Sequence, residues 1–382
     1  MKKHLFYGLL AILLCSCLIT NKNNLSANGE SSVIIVSPYN GVDWHNFGQY
    51  KAALHVHTTN SDGLNTFSQV IEDHYEKDFD ILAVTDHNRV TVDWVSARNG
   101  LSQERFAAIT AGEGRDGRGM LQVPYANEQS NSDHINSFFI NYNNPGGISL
   151  RNNIERVEDN GGISFINHPG RYTNGVAGGI TGENASNNER NIRKYVNLFM
   201  EFPSCVGMEI INKKDGDSAS DRILWDNILS WTIPRGRYVW GFSNDDTHSN
   251  SNTGYSFNVF IMPENTLENF RNAMLSGSFY AVARVSKREL GSSFTAAGAV
   301  PAILNINVDN DAANITIAAD NYSRIEWISA GKKVAEGETI CLNTHKNNIN
   351  SYIRANIIGA GGIAFTQPFG IIGNKQSYLQ RH

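Results

Sequence analysis

Cysteine is scarce in this chain of 382 residues: there are four, and two of them, Cys15 and Cys17, lie close to the start. Cys205 and Cys341 are left as ordinary thiols in segments of different texture, so a disulfide framework is not indicated. An excess of positive charge is also missing. Lys and Arg number 32 against 37 Asp and Glu, a net charge of -5, which gives no general attraction to a nucleic-acid polymer or an anionic membrane surface. The apolar run at 5–14 is too short to span a bilayer. No Gly-x-Ser-x-Gly elbow occurs, which disfavours a Ser-His-Asp hydrolase, and no internal repeat is visible. What remains is 41% hydrophobic and 18% charged, sufficient for a sizeable core in one large and one small domain.

The start reads as targeting. Lys2 and Lys3 precede the apolar run, and Leu14-Cys15-Ser16-Cys17 resembles a bacterial lipobox, with a small residue before an acylated cysteine. The expectation is a signal segment over 1–17, a polar tether over 18–32, and a cell-envelope lipoprotein held to the membrane only through Cys17. Over 33–290, strand-like runs at 52–56, 81–85, 107–111, 135–140, 163–166, 206–211 and 238–242 alternate with amphipathic helical faces. Such faces are Phe67, Val70, Ile71, His74 and Tyr75; Leu150, Ile154 and Val157; and Leu224, Ile228 and Trp231. This alternation predicts an α/β fold of barrel type. From about Gly291 the pattern becomes strictly alternating, as in Leu304, Ile306 and Val308, and predicts a small all-β sandwich over 291–382.

The histidines carry the chemistry. His55-Val56-His57 closes one strand-like run, and residues two apart on a strand point the same way, so both imidazoles can face one ion. Asp62 follows in a turn; Asp86-His87, Glu113, His168 and Asp246-x-His248 follow later runs. Any one of these is unremarkable, but imidazole and carboxylate groups recurring at successive strand ends point to metal ligation. His45, His74 and His345 show no such placement.

The order His55-x-His57, Asp62, Thr85-Asp86-His87, Glu113, His134, His168 and Asp246-x-His248 resembles the PHP superfamily, which takes its name from its polymerase and histidinol phosphatase members. The resemblance covers roughly 50–290 and implies a distorted seven-stranded (β/α) barrel with two or three divalent ions (zinc, manganese or iron). It implies that His55, His57, Glu113 and Asp246 hold one ion and that Glu113 bridges to a second held by His134 and His168. Asp62, His87 and His248 would hold the third. Asp62 stands where many members have His, and an oxygen ligand there tilts that site toward manganese or magnesium. Glu113, Asp246 and His248 are thus expected at the catalytic centre, with Asp86 orienting a ligand from behind.

Such ions would activate water for attack on an ester, and Arg171 and Arg115 are expected to hold a substrate anion, with Arg89 and Arg118 as lesser candidates. The implied activity is hydrolysis of a small phosphate ester. Hydrolysis of a carboxylic or carbamate ester at the same site, or metal-dependent binding without catalysis, remain open alternatives. The terminal sandwich resembles a small domain that follows the barrel in some secreted members, and nothing in it selects a ligand.

Overall fold

The computed structural model describes residues 33–373 except 174–181 and 217. The signal-like segment, Cys17 and the tether lie outside the described residues. Among those described, no helix is long and apolar enough to cross a membrane.

The fold is mixed α/β, and its helices form where local chemistry dictates. Thr66 caps Phe67–Glu76 through a reciprocal box with Gln69, and all five residues of its expected apolar face are buried. Ser149 caps Leu150–Asp159, which buries Leu150, Ile154 and Val157. Asp221–Thr232 buries Leu224 and Ile228, while Trp231 is only partly covered.

One sheet holds the strands Asn127–Ser130, His134–Phe138, Ile163–Ile166, Cys205–Asn212 and Trp240–Asn244 in that order. Its first two pairings are antiparallel and its last two parallel. A larger sheet contains Gly48–Ala53 between Ser256–Met262 and Ile81–Leu82. The two groups touch at isolated parallel bridges, Val56 with Thr247 and His87 with Glu128.

The run 107–111 differs from expectation. It belongs to the helix Gln103–Ala111, capped by Ser102 at its start and ended by Gly112 in the left-handed conformation at φ 77°. A short apolar run fits helix or strand equally, and the caps decide.

The change of texture near Gly291 does not divide the hydrophobic core. Phe279–Ala283 pairs with Gly362–Phe365, which continues through Tyr352–Gly359 and Phe369–Ile372 to Ile34–Val36 near the other end of the chain. One buried cluster joins Phe67 and Val84 to Ile353 and Phe369, and another joins Ile210 and Leu224 to Tyr352 and Phe365. The described residues belong to one compact unit. Ala302–Asp309, Asn314–Asp320 and Thr339–Cys341 make a separate three-stranded sheet, and Ile306, Ile315, Ile317 and Ile340 from it join the first of those clusters.

Candidate metal centre

Strand alternation assembles the cluster. At the Val56–Thr247 bridge, the His57 N–H donates to the Thr247 carbonyl (2.8 Å) and the Thr247 N–H to that of His55 (3.2 Å). Val56 enters the apolar core, so its neighbours His55 and His57 turn to the opposite side. Asp246 and His248, which flank Thr247, meet them there: His57 Nε2 is 3.1 Å and His55 Nε2 3.4 Å from Asp246 Oδ1. The His87–Glu128 bridge works likewise and brings His87 Nδ1 to 2.7 Å from Glu128 Oε2. His134 opens the strand antiparallel to the one bearing Glu128, and its Nδ1 lies 2.9 Å from Oε1. His168 and Asp246 both have left-handed backbones, φ 26° and 47°, a strain that concentrates at functional sites.

The carboxylate at the centre is Glu128. It is fully buried and reaches five imidazoles, with His55 Nε2 at 3.2 Å, His57 Nε2 at 3.5 Å and His168 Nε2 at 3.3 Å besides His87 and His134. Glu113 is not there. It is exposed just beyond the helix Gln103–Ala111, where its carbonyl accepts the Tyr75 hydroxyl (2.8 Å). The expectation for Glu113 failed because it rested on reading 107–111 as a strand. Glu128 was hidden because its strand, Asn-Glu-Gln-Ser, contains no apolar residue. The legible signal was a hairpin: Asn131-Ser132-Asp133 is turn-forming and separates Glu128 from His134.

The donor atoms fall into four overlapping groups within ligand reach: His57, Asp62, His87 and His248; His55, His168 and Asp246; His55, His57 and Glu128; and His87, Glu128 and His134. All the expected ligands except Glu113 are therefore brought together, with His57 joining the Asp62 group. The test of fit is a set of buried polar atoms without a hydrogen-bond partner: Nε2 of His55 and His57, Nδ1 of His168 and both carboxylate oxygens of Asp246. Such atoms cost stability unless something binds them, and imidazole nitrogens with carboxylate oxygens suit zinc, manganese or iron.

The charges are strongly coupled. Burial opposes protonation of His55, but the carboxylates of Asp246, Glu128 and Glu209 outweigh it and raise its pKa well above the ordinary value. Burial lowers that of His57. Burial opposes ionisation of Glu128 and Asp246, but the surrounding histidines together outweigh it and pull both well below the usual carboxylate range: His55, His134 and His168 for Glu128, and His55 and His57 for Asp246.

Sequence reasoning missed Glu209. It is fully buried on Cys205–Asn212; Oε1 meets His55 Nδ1 at 2.8 Å, and Oε2 accepts the His168 backbone N–H at 2.9 Å. This fixes which His55 nitrogen faces the centre. Asp86 works through others: it accepts from the Thr58 hydroxyl (2.7 Å) and the Ser61 hydroxyl (2.6 Å), and Ser61 Oγ lies 3.4 Å from His57 Nδ1.

Of the expected arginines, Arg171 is at the site, with Nη2 3.6 Å from Asp246 Oδ2. Arg115 is elsewhere, bonding the Phe79 carbonyl (2.6 Å) and Asp80 (2.9 Å), and Arg118 binds Asp80 as well. Arg115 followed the misplaced Glu113 and has a structural role. Lys213, not singled out in the sequence, brings Nζ to 3.4 Å from Asp246 Oδ2, and the Tyr172 ring lies 5.4 Å from that of His134.

Fold and cluster together define a mixed α/β protein with a candidate divalent-metal centre of histidines and carboxylates. No family model and no curated protein matches the chain. Among solved structures it is similar to a two-domain protein from Bacteroides vulgatus described as containing a predicted PHP-like metal-dependent phosphoesterase, at 15% identity and a TM-score of 0.46 over 87% of this chain and 89% of that one. It is also similar to a lesion-specific endonuclease from Pyrococcus furiosus, at 14% identity and a TM-score of 0.36 over 60% and 56% of the two chains. An amidohydrolase from Chromobacterium violaceum gives 15% identity and a TM-score of 0.35 over 60% of this chain and 96% of that one.

Proposed function

We propose that this chain is a metal-dependent hydrolase, and specifically a phosphoesterase acting on a small phosphate ester. The observation that carries the reading is the set of orphaned ligand atoms around Glu128, with a guanidinium at its rim. Bound divalent ions would lower the pKa of coordinated water and offset negative charge on the ester oxygens. His55, His57, His168, Asp246 and Glu128 would hold ions in the buried part, and Asp62, His87 and His248, with His57, at the more exposed edge. Glu209 keeps the His55 Nε2 face toward the centre, and Asp86 steadies the turn that bears Asp62 through Thr58 and Ser61. Arg171 is suited to a non-bridging phosphate oxygen by charge-assisted hydrogen bonding.

The same reading takes the strands around the cluster as a distorted seven-stranded barrel, supported by the two parallel bridges. It places the protein in a bacterial cell envelope, anchored by lipid at Cys17, and gives it no nucleic-acid polymer as partner. The test is hydrolysis of matched phosphate and carboxylate esters of one chromogenic alcohol. The phosphate ester should be cleaved, with loss on chelation, recovery with manganese or zinc, and inhibition by inorganic phosphate. Faster cleavage of the carboxylate ester without phosphate inhibition would assign the site to carboxylic esters. Metal uptake without turnover of either would make it a binding protein.

A further inference from the structure

Two adjacent lysines follow the strand Cys205–Asn212 and point different ways. Lys214 Nζ lies over the Tyr255 ring, 4.1 Å from its centre, whereas Lys213 Nζ reaches Asp246. Lys213 and Asp215 both have left-handed backbones, φ 55° and 52°, a conformation sterically costly for a lysine. Here the Lys213 N–H donates to the Asn244 carbonyl (2.9 Å) and its own carbonyl accepts the Ser256 hydroxyl (2.7 Å).

Behind the loop stands a buried clamp. The Arg222 guanidinium meets both Asp215 oxygens at 2.8 Å and both Glu289 oxygens at 2.8 Å. It also donates to the Ile210 and Ser218 carbonyls at 2.9 Å. The Lys287 N–H (2.7 Å) and the Ser218 hydroxyl (2.8 Å) complete Asp215, and the Asn212 N–H donates to Ser218 Oγ (2.9 Å). A buried ion network of this kind is poor evidence of added stability. It ties Asp215 and Ser218 to the helix Asp221–Thr232 and to Glu289. Lys213, its side chain 42% exposed, and Arg171 converge on the same oxygen at the rim of the cluster, Asp246 Oδ2.

We propose that Lys213 contacts a non-bridging oxygen of a phosphate-type anion, and that Arg222, with Asp215 and Glu289, is the positioning device that holds it there. This rests on the phosphoesterase reading. A lysine ammonium suits the role as a point charge on a flexible stem.

The test uses the full-length, metal-loaded protein with inorganic phosphate as the probe. Lys213→Ala should leave metal content unchanged, weaken phosphate inhibition roughly 10- to 100-fold, and raise KM more than it lowers kcat. Lys213→Arg should restore part of the loss. Glu289→Gln should weaken phosphate inhibition in the parent background and do nothing further once Lys213 is Ala. Ser218→Ala gives the same comparison should Glu289→Gln be insoluble. Unchanged phosphate inhibition in Lys213→Ala overturns the contact. A Glu289→Gln effect of equal size in both backgrounds overturns the positioning role. A parent protein indifferent to phosphate overturns the phosphoesterase reading, and this assignment with it.

Discussion

Replacing Glu128 by Gln keeps the shape of the side chain and removes the one carboxylate that five imidazoles share. Glu128 is fully buried, and its oxygens also accept the Asn167 amide at 2.7 Å, so no water compensates for the lost charge. It belongs to two of the four ligand groups, so the change damages both at once. Removing a group that merely orients a metal ligand typically costs about 10–100-fold in metal affinity, and Glu128 offers ligand atoms itself, so the loss in apparent metal affinity should be at least roughly two orders of magnitude. The assay is elemental analysis after dialysis, with competition against a chromophoric chelator to give the affinity. Glu113→Gln is the control: it changes an exposed side chain outside the cluster and should leave metal content and turnover unchanged. Full metal content in Glu128→Gln, or loss of metal in Glu113→Gln, would refute the central role given to Glu128.

Arg171→Ala should lower kcat/KM for a phosphate ester by about 1–3 kcal/mol, whereas Arg115→Ala should lower thermal stability by a similar amount and leave kinetics unchanged, because its hydrogen bonds go to Phe79 and Asp80. Steady-state kinetics and thermal melts on both variants separate the roles. Asp215 has its pKa lowered because Arg222, Ser218 and the Lys287 N–H outweigh the opposing effect of burial. Its stabilising contribution is therefore complete above the unfolded value near ~3.9 and is lost as pH falls through the lower folded value. The stability gap between parent and Asp215→Asn should shrink below about pH 4, and a gap independent of pH in denaturant titrations would contradict this. A chain ending at Leu290 should fail to fold. It loses Ile353, Ile357, Phe365 and Phe369, all fully buried, and at ~2 kcal/mol each this is roughly 8 kcal/mol, comparable with a typical whole-protein stability of about 5–15 kcal/mol. A soluble, cooperatively melting truncation would refute that.

The legible parts of the sequence were those where pattern and position agree. The helical face Phe67, Val70, Ile71, His74 and Tyr75 is buried as the 3.6 period requires, and Ile163–Ile166 is a strand with the expected bounds. His55 and His57 were readable because an apolar strand leads to them and the alternation fixes their side. Asp246 and His248 were readable by the same rule. The change of period near Gly291 is not accompanied by a change of core, because period reports which face is covered and not by what. Tyr352–Gly359 alternates in sequence yet is buried throughout, since one side packs apolar residues and the other pairs Arg354 with Asp226 at 2.7 Å.

The same limit explains why the central carboxylate escaped. Hydrophobic pattern finds strands that bury apolar side chains, and Asn127–Ser130 buries polar ones. Asn127 and Gln129 bond each other (2.9 Å) on one face, while Glu128 on the other meets histidines. A strand that is polar on both faces yet buried cannot be paid for by the hydrophobic effect, and is held by its neighbours and by whatever satisfies Glu128. The segment that pattern reads worst is thus the one most committed to the centre. Glu209 escaped for the opposite reason. It lies inside Val206-Gly207-Met208-Glu209-Ile210-Ile211, where the apolar run conceals a single charge. In such a run the isolated carboxylate is the informative residue, because full burial there is tolerable only when it meets partners such as His55, the His168 N–H, Asn212 and Asn244.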